Sequence, residues 1–391
     1  MKVPLLDLKP QYLSLKKEID EAVQRVIDSQ YFIMGPDVAK LEEEICNYLG
    51  CKKAVGVSSG TDALLLALMA LEIQPGDEVI VPTYSFFATA GAVARLNAVP
   101  VFVDCDPVTF NIDPNKIEEK ITPRTRAIIP VHLYGQSARM NEIIKIANKN
   151  NLFVIEDAAQ AIGTQYKNGK FVGTIGDIGC FSFFPSKNLG GFGDGGIVTT
   201  NNEALGEKMR IQRVHGMEPK YYHKMMGGNF RLDALQAAVL RVKLPHLDSW
   251  SAKRRENADT YSKYFFEAGL ATEEGLLAFD TNNKVLLPKA VYKTSGFKNH
   301  HIYNQYIIRV ENRDSLINYL RQKEIGCEIY YPVPFHRQEC FSYLKCKDED
   351  YPVSNNAASS SIALPIYPEL SNEQIKFVVD SIAEFMKTES K

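Results

Sequence analysis

The chain alternates short apolar runs with stretches of helical periodicity. Leu15, Ile19, Val23 and Val26 repeat at three- to four-residue spacing, which predicts a helix with one buried face. Asp37 stands where it would cap a second helix carrying Val38, Leu41, Ile45 and Leu49 on one side. From residue 54 the pattern changes. AVGV (54–57), EVIVP (78–82), PVFVD (100–104) and AIIPV (127–131) are strand-like, and each precedes a helical stretch, at 63–71, 86–95, 117–120 and 140–148. LFVIED (152–157) follows, then two closely spaced strand-like runs, GCFSFF (179–184) and GIVTT (196–200). Strand, helix, strand at this spacing predicts an α/β fold, a mostly parallel, doubly wound sheet covered on both faces.

Near Leu244 and Pro245 this regularity ends. A long polar helical stretch comes next, then an irregular segment (274–299), a strand YNQYIIRV (303–310), a helix DSLINYLRQ (314–322), a strand CEIYY (327–331) and a final helix over 372–386. The expectation is two domains, a large one over 1–245 and a smaller α+β one over 246–391. The polar stretch 280–299, rich in Lys and Asn, reads as an excursion or hairpin.

Composition narrows the classes. The 391 residues carry 45 basic and 47 acidic side chains for a net charge of -2, with 45% hydrophobic and 24% charged positions. Such a chain has material for a large core, and its scattered Lys and Arg give no basic face for nucleic acid. Seven cysteines without a CxxC pair read as reduced, buried thiols, with no metal site. The apolar runs fall short of the ~20 residues needed to span a bilayer, and a cytoplasmic location is expected.

Three segments carry candidate chemistry. In GDIGCFSFFPSKNLGGFGDGGIVTTN, Lys187 lies between an aromatic strand and a glycine-rich turn. Walls such as Phe181, Phe183, Phe184, Pro185 and Phe192 would desolvate its amine, and the neutral amine is the form that attacks a carbonyl to make a Schiff base. Gly191, Gly193 and Gly196 have GxGxxG spacing, but a strand rather than a helix follows, so they read as a turn passing close to something and not as a nicotinamide site. In VGVSSGTDALLLAL, the small residues Ser58, Ser59, Gly60 and Thr61 join a strand to an apolar helix, where free amides form a natural phosphate cradle. Asp157 ends the apolar strand LFVIED, where open α/β sheets place ligands, and a buried carboxylate there needs a partner. The protonated ring nitrogen of pyridoxal 5'-phosphate is one such partner. Cradle, strand-end Asp and hydrophobic Lys suit that cofactor best.

With these residues in view, the chain resembles the DegT/DnrJ/EryC1/StrS family of pyridoxal-phosphate-dependent sugar aminotransferases, on the type I aminotransferase fold. The matching blocks are SSGTDAL, PTYSFFATAGAV, FVDCDP, PVHLYGQ, EDAAQAIG, FSFFPSKNLGGFGDGG, GGNFRLDALQAA, YYPVPFHRQECF and ALPIYPEL. The resemblance implies that Lys187 carries the cofactor as a Schiff base, Asp157 faces the ring nitrogen, Gln160 lies beside the ring hydroxyl and Phe86 stacks on the ring. It implies that Ser59, Gly60, Thr61 and Ser182 hold the phosphate, that Asn229 reaches it from the other subunit of a homodimer with a shared site, and that His215, Arg231 and His336 touch substrate.

A lysine at 187 rather than the histidine of dehydrating relatives implies transamination, with glutamate as donor in a ping-pong cycle. The SFFPSKNLG and GDGG wording resembles members acting on 3-keto nucleotide sugars. The extra segment 272–301, followed by HHIYNQYIIRV, resembles the branch that makes UDP-linked 2-acetamido-3-amino sugars for lipid A. The expected substrate is therefore UDP-3-keto-N-acetylglucosamine. A TDP-3-keto-6-deoxyhexose, a UDP-linked 3-keto-hexuronic acid, a nicotinamide oxidoreductase and a non-catalytic binding or regulatory protein on the same fold are the alternatives.

Overall fold

The computed structural model describes residues 1–389. Three helices lead, α1 (Lys9–Ser14), α2 (Lys16–Ser29) and α3 (Pro36–Leu49). Seven strands then form one sheet: β1 (Lys53–Val57), β2 (Glu78–Pro82), β3 (Val99–Val103), β4 (Thr125–Ile128), β5 (Phe153–Asp157), β6 (Ile178–Ser182) and β7 (Gly196–Thr200). They lie in the order β1-β7-β6-β5-β4-β2-β3. Only β7 runs against its neighbours, so the sheet is mostly parallel as the alternating pattern predicts. The connecting helices are α4 (Gly60–Ala70), α5 (Ala88–Arg95), α6 (Met140–Asn150), α7 (Glu203–Gln212) and α8 (Ala234–Lys243). The apolar faces of β1 and β2 pack with α4 and α5, while α3 and α8 close the opposite side with Phe181 and Phe183. Both faces of a parallel sheet are thus buried, which is why its strands read as continuous apolar runs.

Beyond it stand α9 (Leu247–Glu267), β8 (Tyr306–Arg309), α10 (Arg313–Gln322), α11 (Pro352–Ser360), β9 (Ser361–Leu364) and α12 (Asn372–Glu389). β8 and β9 pair antiparallel, and a separate core of α9, α10, α12 and these strands also takes in Val3. Among the described residues no helix is long and apolar enough to cross a membrane.

Several local expectations need correction. The helix expected at 117–120 is two short 3-10 turns, Pro114–Lys116 and Glu118–Lys120. CEIYY is not a strand, since Glu328 makes a single bridge to Ala363 and β9 supplies the partner of β8. Asp37 does not cap α3. Gly35 holds that position, and Asp37 sits in the first turn, paired with Arg25 and Arg241. All seven cysteines are free, but Cys340 is exposed. The segment 272–301 is tied to the large sheet at Gln136, which bridges to His301, donates to Lys289 O (3.1 Å) and accepts from Val291 N–H (2.7 Å).

The carboxyl end of β5 is fixed by Glu156, which points away from Asp157. Its Oε1 accepts from the N–H groups of Ile175 (2.7 Å) and Gly176 (2.6 Å), and its Oε2 accepts from Gly173 N–H (2.8 Å). His132 Nε2 lies 2.9 Å from the same Oε2, while its Nδ1 accepts from Ala138 N–H, so Nε2 carries the proton and donates. Removing the carboxylate strands four donors in a dry interior. Glu156→Ala should therefore lower unfolding stability by about 3–5 kcal/mol, read as a fall in the urea midpoint, and an unchanged midpoint would refute this account of how the strand end is held.

Candidate active site

Of the six strands that run the same way, all but β3 deliver a side chain or turn to the same edge of the sheet. After β1 come Ser59, Gly60 and Thr61, and after β2 come Ser85 and Phe86. Val131 follows β4, Asp157 and Gln160 end or follow β5, and Ser182 and Lys187 end or follow β6. These residues line one cavity of about 420 Å3, closed from the other side by Gln305, Tyr330 and Tyr331. A ligand site at the carboxyl ends of parallel strands is the expected place in such a sheet.

One end of the cavity is the start of α4. Ser59 is its N-cap, with Oγ accepting from Asp62 N–H at 3.0 Å. The N–H groups that open a helix have no intrahelical acceptor and carry the positive end of its dipole, which suits a phosphate. Gly60 is required here by space, because a Cβ would lie 2.7 Å from Ser182 Cβ. The cradle is thus Gly60 and Thr61 backbone with the Ser182 hydroxyl beside it.

Asp157, in the wall of the same cavity, is buried. Thr89 Oγ1 donates to its Oδ2 at 2.8 Å and Ala159 N–H to its Oδ1 at 3.2 Å. Burial raises its pKa above the ordinary carboxylate range, against the lowering effect of Thr89, Ala159 and the nearby Lys187. Such an acid calls for a cationic partner, and a ring N–H⁺ is one. Gln160 accepts from Tyr134 N–H (2.7 Å) and donates to the Tyr331 hydroxyl (2.9 Å). Phe86 is exposed to the cavity as a flat wall, its ring centre 6.1 Å from that of Tyr331.

Lys187 projects from the turn between β6 and β7, and burial lowers its amine to about 8 against the opposing pull of Asp157. The expected effect is present, but of the expected walls only Phe184 lines the cavity. Phe181 and Phe183 are core residues and Phe192 lines another groove. The cavity's aromatic wall is Phe86, Phe184, Tyr330 and Tyr331.

Eight of the expected residues meet here: Ser59, Gly60, Thr61, Phe86, Asp157, Gln160, Ser182 and Lys187. The other four lie outside this wall. His336 is enclosed in its own contacts, with Nδ1 2.9 Å from Thr83 Oγ1, Nε2 3.1 Å from Asn355 Oδ1, and its ring stacked on Tyr351. That geometry fastens residues 330–351 to the end of β2 and leaves no ring nitrogen for substrate. His215 is exposed on a turn, its N–H donating to Gly228 O (2.9 Å). Asn229 is exposed, and Arg231 bridges Val57 through its backbone.

Thr89, Tyr331, Gln305 and Asp194 are further polar groups at the site that the sequence pattern does not single out. Thr89 had a signal, a lone polar residue one turn after Phe86 in an otherwise apolar helix start. Tyr331 lies in YYPVPFHRQECF, beside two prolines that interrupt any strand.

Helix-end cradle, buried acid and low-pKa lysine together match the three chemical ends of pyridoxal phosphate. The chain belongs to the DegT/DnrJ/EryC1/StrS aminotransferase family, whose pattern matches residues 13–383. Similar relatives include the "pleiotropic regulatory protein" of Geobacillus stearothermophilus, 48% identical with 99% of each chain covered. Another is the UDP-N-acetyl-3-dehydro-alpha-D-glucosamine 3-aminotransferase of Acidithiobacillus ferrooxidans, 44% identical over 95% of each. Among solved structures, Streptomyces venezuelae DesV in complex with a ketimine intermediate superposes at a TM-score of 0.90, with 39% identity over 98% of each chain. The protein is accordingly a pyridoxal-phosphate-dependent aminotransferase of the type I fold.

The neutral fraction of an amine titrating at about 8 grows tenfold per pH unit below that value and then levels. The full-length protein stripped of cofactor should capture pyridoxal phosphate at a rate that follows this curve. Stopped-flow absorbance from pH 6 to 9.5 checks it, and a rise continuing toward pH 10 would mean that Lys187 is not desolvated.

Proposed function

We propose that this enzyme transfers the amino group of glutamate to the 3-keto carbon of a nucleotide-linked sugar, and that the sugar is UDP-3-keto-N-acetylglucosamine. The observation that carries the reading is one cavity holding both Lys187 and Asp157, with a phosphate cradle at its end. The choice of sugar draws on the 3-aminotransferase named above and on the segment 272–301. Both catalytic charges are intact in the cavity, which favours catalysis over a purely regulatory role despite the name of the Geobacillus relative.

Bound pyridoxal phosphate supplies an electrophilic carbon and a ring that accepts electrons from the carbon losing its proton. Asp157, oriented by Thr89 and Ala159, keeps the ring nitrogen protonated so that those electrons have a destination. Gly60, Thr61 and Ser182 anchor the phosphate, and Phe86 and Gln160 fix the ring against tilting. Lys187 anchors the cofactor at rest. With a donor amine in its place on the cofactor, the freed Lys187 amine would be the base that takes the proton from the donor carbon and gives it to the cofactor's electrophilic carbon. Its lowered pKa keeps it neutral often enough to do so. The keto sugar takes the same path in reverse.

The site is also proposed to be shared in a homodimer. Tyr221, Tyr222 and Met226 are 76%, 70% and 84% exposed just before Asn229, and Tyr31 and Ile33 expose further apolar area beside Asp233. An apolar patch of this kind marks a protein contact.

With UDP-3-keto-N-acetylglucosamine and glutamate the products should be the 3-amino sugar and 2-oxoglutarate, detected by mass spectrometry. Turnover only of TDP-linked 3-keto-6-deoxyhexoses, or only of a 3-keto-hexuronate, would sink the sugar assignment and leave the aminotransferase standing.

Subunit sharing has its own test. Asn229→Asp sets a carboxylate against the cofactor phosphate and Lys187→Ala removes the amine, so each variant should be inactive alone. Mixed under conditions that exchange subunits, they should recover up to about a quarter of wild-type activity per total site, because half of a random mixture is heterodimer and each heterodimer has one intact site. Exchange without recovery means that Asn229 serves its own subunit.

A further inference from the structure

The turn formed by residues 183–195 carries Lys187, and its shape decides where the amine points. It closes on itself through Phe183 N–H to Gly195 O (2.8 Å) and Gly191 N–H to Phe183 O (2.7 Å). Gly190 is packed so tightly that a Cβ would lie 2.3 Å from Pro185 O. From outside, α8 reaches the turn with two side chains seven residues apart, hence on one face of the helix. Gln236 Oε1 accepts from Phe192 N–H at 2.7 Å. Lys243 Nζ donates to Gly190 O.

Lys243 is only 5% exposed, with its ammonium 5.9 Å from the ring centres of both Phe192 and Trp250. Among the described residues no carboxylate lies within ion-pair distance of it. Burial holds its amine down to about 8, partly offset by Glu369. A cation kept in such a place is costly, and a methionine would fill the same volume without that cost. What the amine does that a methionine cannot is grip the carbonyl of Gly190. Packing does not replace that grip, because an open groove of about 480 Å3, lined by Gln11, Tyr12, Ile19, Phe192 and Lys243, flanks the turn on this side.

We propose that Lys243, assisted by Gln236, is a positioning residue that fixes the turn bearing Lys187 and thereby presents the Lys187 amine to the cavity. The coupling runs through backbone, since the charge that bears on Lys187 is Asp157, whereas the charge that bears on Lys243 is Glu369. The inference rests on Lys187 being the reacting amine.

The experiment uses the full-length chain stripped of cofactor, labelled with trace acetic anhydride across a pH series and read at Lys187 by peptide mass spectrometry. Cofactor dissociation from the loaded protein is measured alongside. In wild type the Lys187 midpoint should fall near 8. Lys243→Met should raise it by about one pH unit, as a loosened turn lets water reach the amine, and should speed cofactor loss by about tenfold. Lys243→Arg should restore most of both, because a guanidinium still donates to Gly190 O.

A Lys243→Met protein that melts earlier but keeps the wild-type midpoint and cofactor retention overturns the proposal, since a merely structural lysine would behave so. If that variant does not fold, Gln236→Leu decides by the same two readouts. Borohydride trapping of the cofactor on wild-type protein separates the levels of argument. Label on Lys187 with no response to Lys243 defeats only this inference, and label on another lysine defeats the assignment of Lys187 itself.

Discussion

One cavity must keep an amine and a carboxylate out of water without letting them neutralise each other's purpose. Lowering Lys187 from the ordinary 10.5 to about 8 favours its neutral form by on the order of 3 kcal/mol. Asp157 opposes that shift, and an Asp157 in full contact with the lysine would return it to a permanent ammonium. The fold resolves this by giving Asp157 other partners. Thr89 and the Ala159 N–H occupy both carboxylate oxygens, so the acid is held in place, and the lysine feels its charge only as a weaker effect than burial.

That arrangement depends on the ends of β5 and β6 being rigid. Adjacent residues on β5 point to opposite faces, and the strand uses this to turn Glu156 toward backbone N–H groups and Asp157 toward the cavity. Glu156 gathers three backbone N–H groups and His132 on one face, which anchors the chain on the other side of the sheet from the cavity. At the end of β6 the corresponding task falls to the glycine that opens β7. Gly196 brings β7 so near that a Cβ would lie 2.6 Å from Ser59 O and 2.7 Å from Phe181 O. The turn at Ser59 and the end of β6 that leads to Lys187 are thereby locked to each other across β7, and their separation becomes a property of the sheet.

Much of this was legible in the sequence. The seven strands of the large sheet follow apolar runs bounded by turn residues, because a parallel sheet buried on both faces writes itself as such runs. That Ser59, Gly60, Thr61, Asp157 and Lys187 meet at one cavity was legible because each stands at or soon after a strand end, where one residue type is chemically odd among apolar neighbours. The failures have physical causes too. CEIYY has strand composition, yet Tyr330 and Tyr331 are spent on the cavity wall, and Tyr84 Oη donates to Tyr330 O at 2.7 Å and accepts from Tyr331 N–H at 2.9 Å. Tertiary bonding of that backbone overrides its propensity. Of the aromatic neighbours of Lys187 in sequence, Phe184 stands in the cavity wall, but alternation sends Phe181 and Phe183 into the core, and the remaining wall residues, Phe86, Tyr330 and Tyr331, come from far along the chain. His336 read as a substrate contact because a histidine in a distinctive block invites chemistry. Its nitrogens are consumed by Thr83, Asn355 and Asp348, contacts up to 253 positions apart in the chain.

The segment 229–231 remains the least self-explanatory part of the site within a single chain. Its backbone is committed to the chain's own cradle, since Ser58 N–H donates to Phe230 O at 3.0 Å and Arg231 bridges Val57. Its side chains face differently, with Asn229 exposed and Arg231 Nε buried without a hydrogen-bond partner. A buried guanidinium nitrogen left unpaired is destabilising and has to be matched by something. The backbone of the segment braces the cradle of its own subunit, while the exposed Asn229 side chain is the one group of the three that the proposed dimer could bring to a neighbouring site.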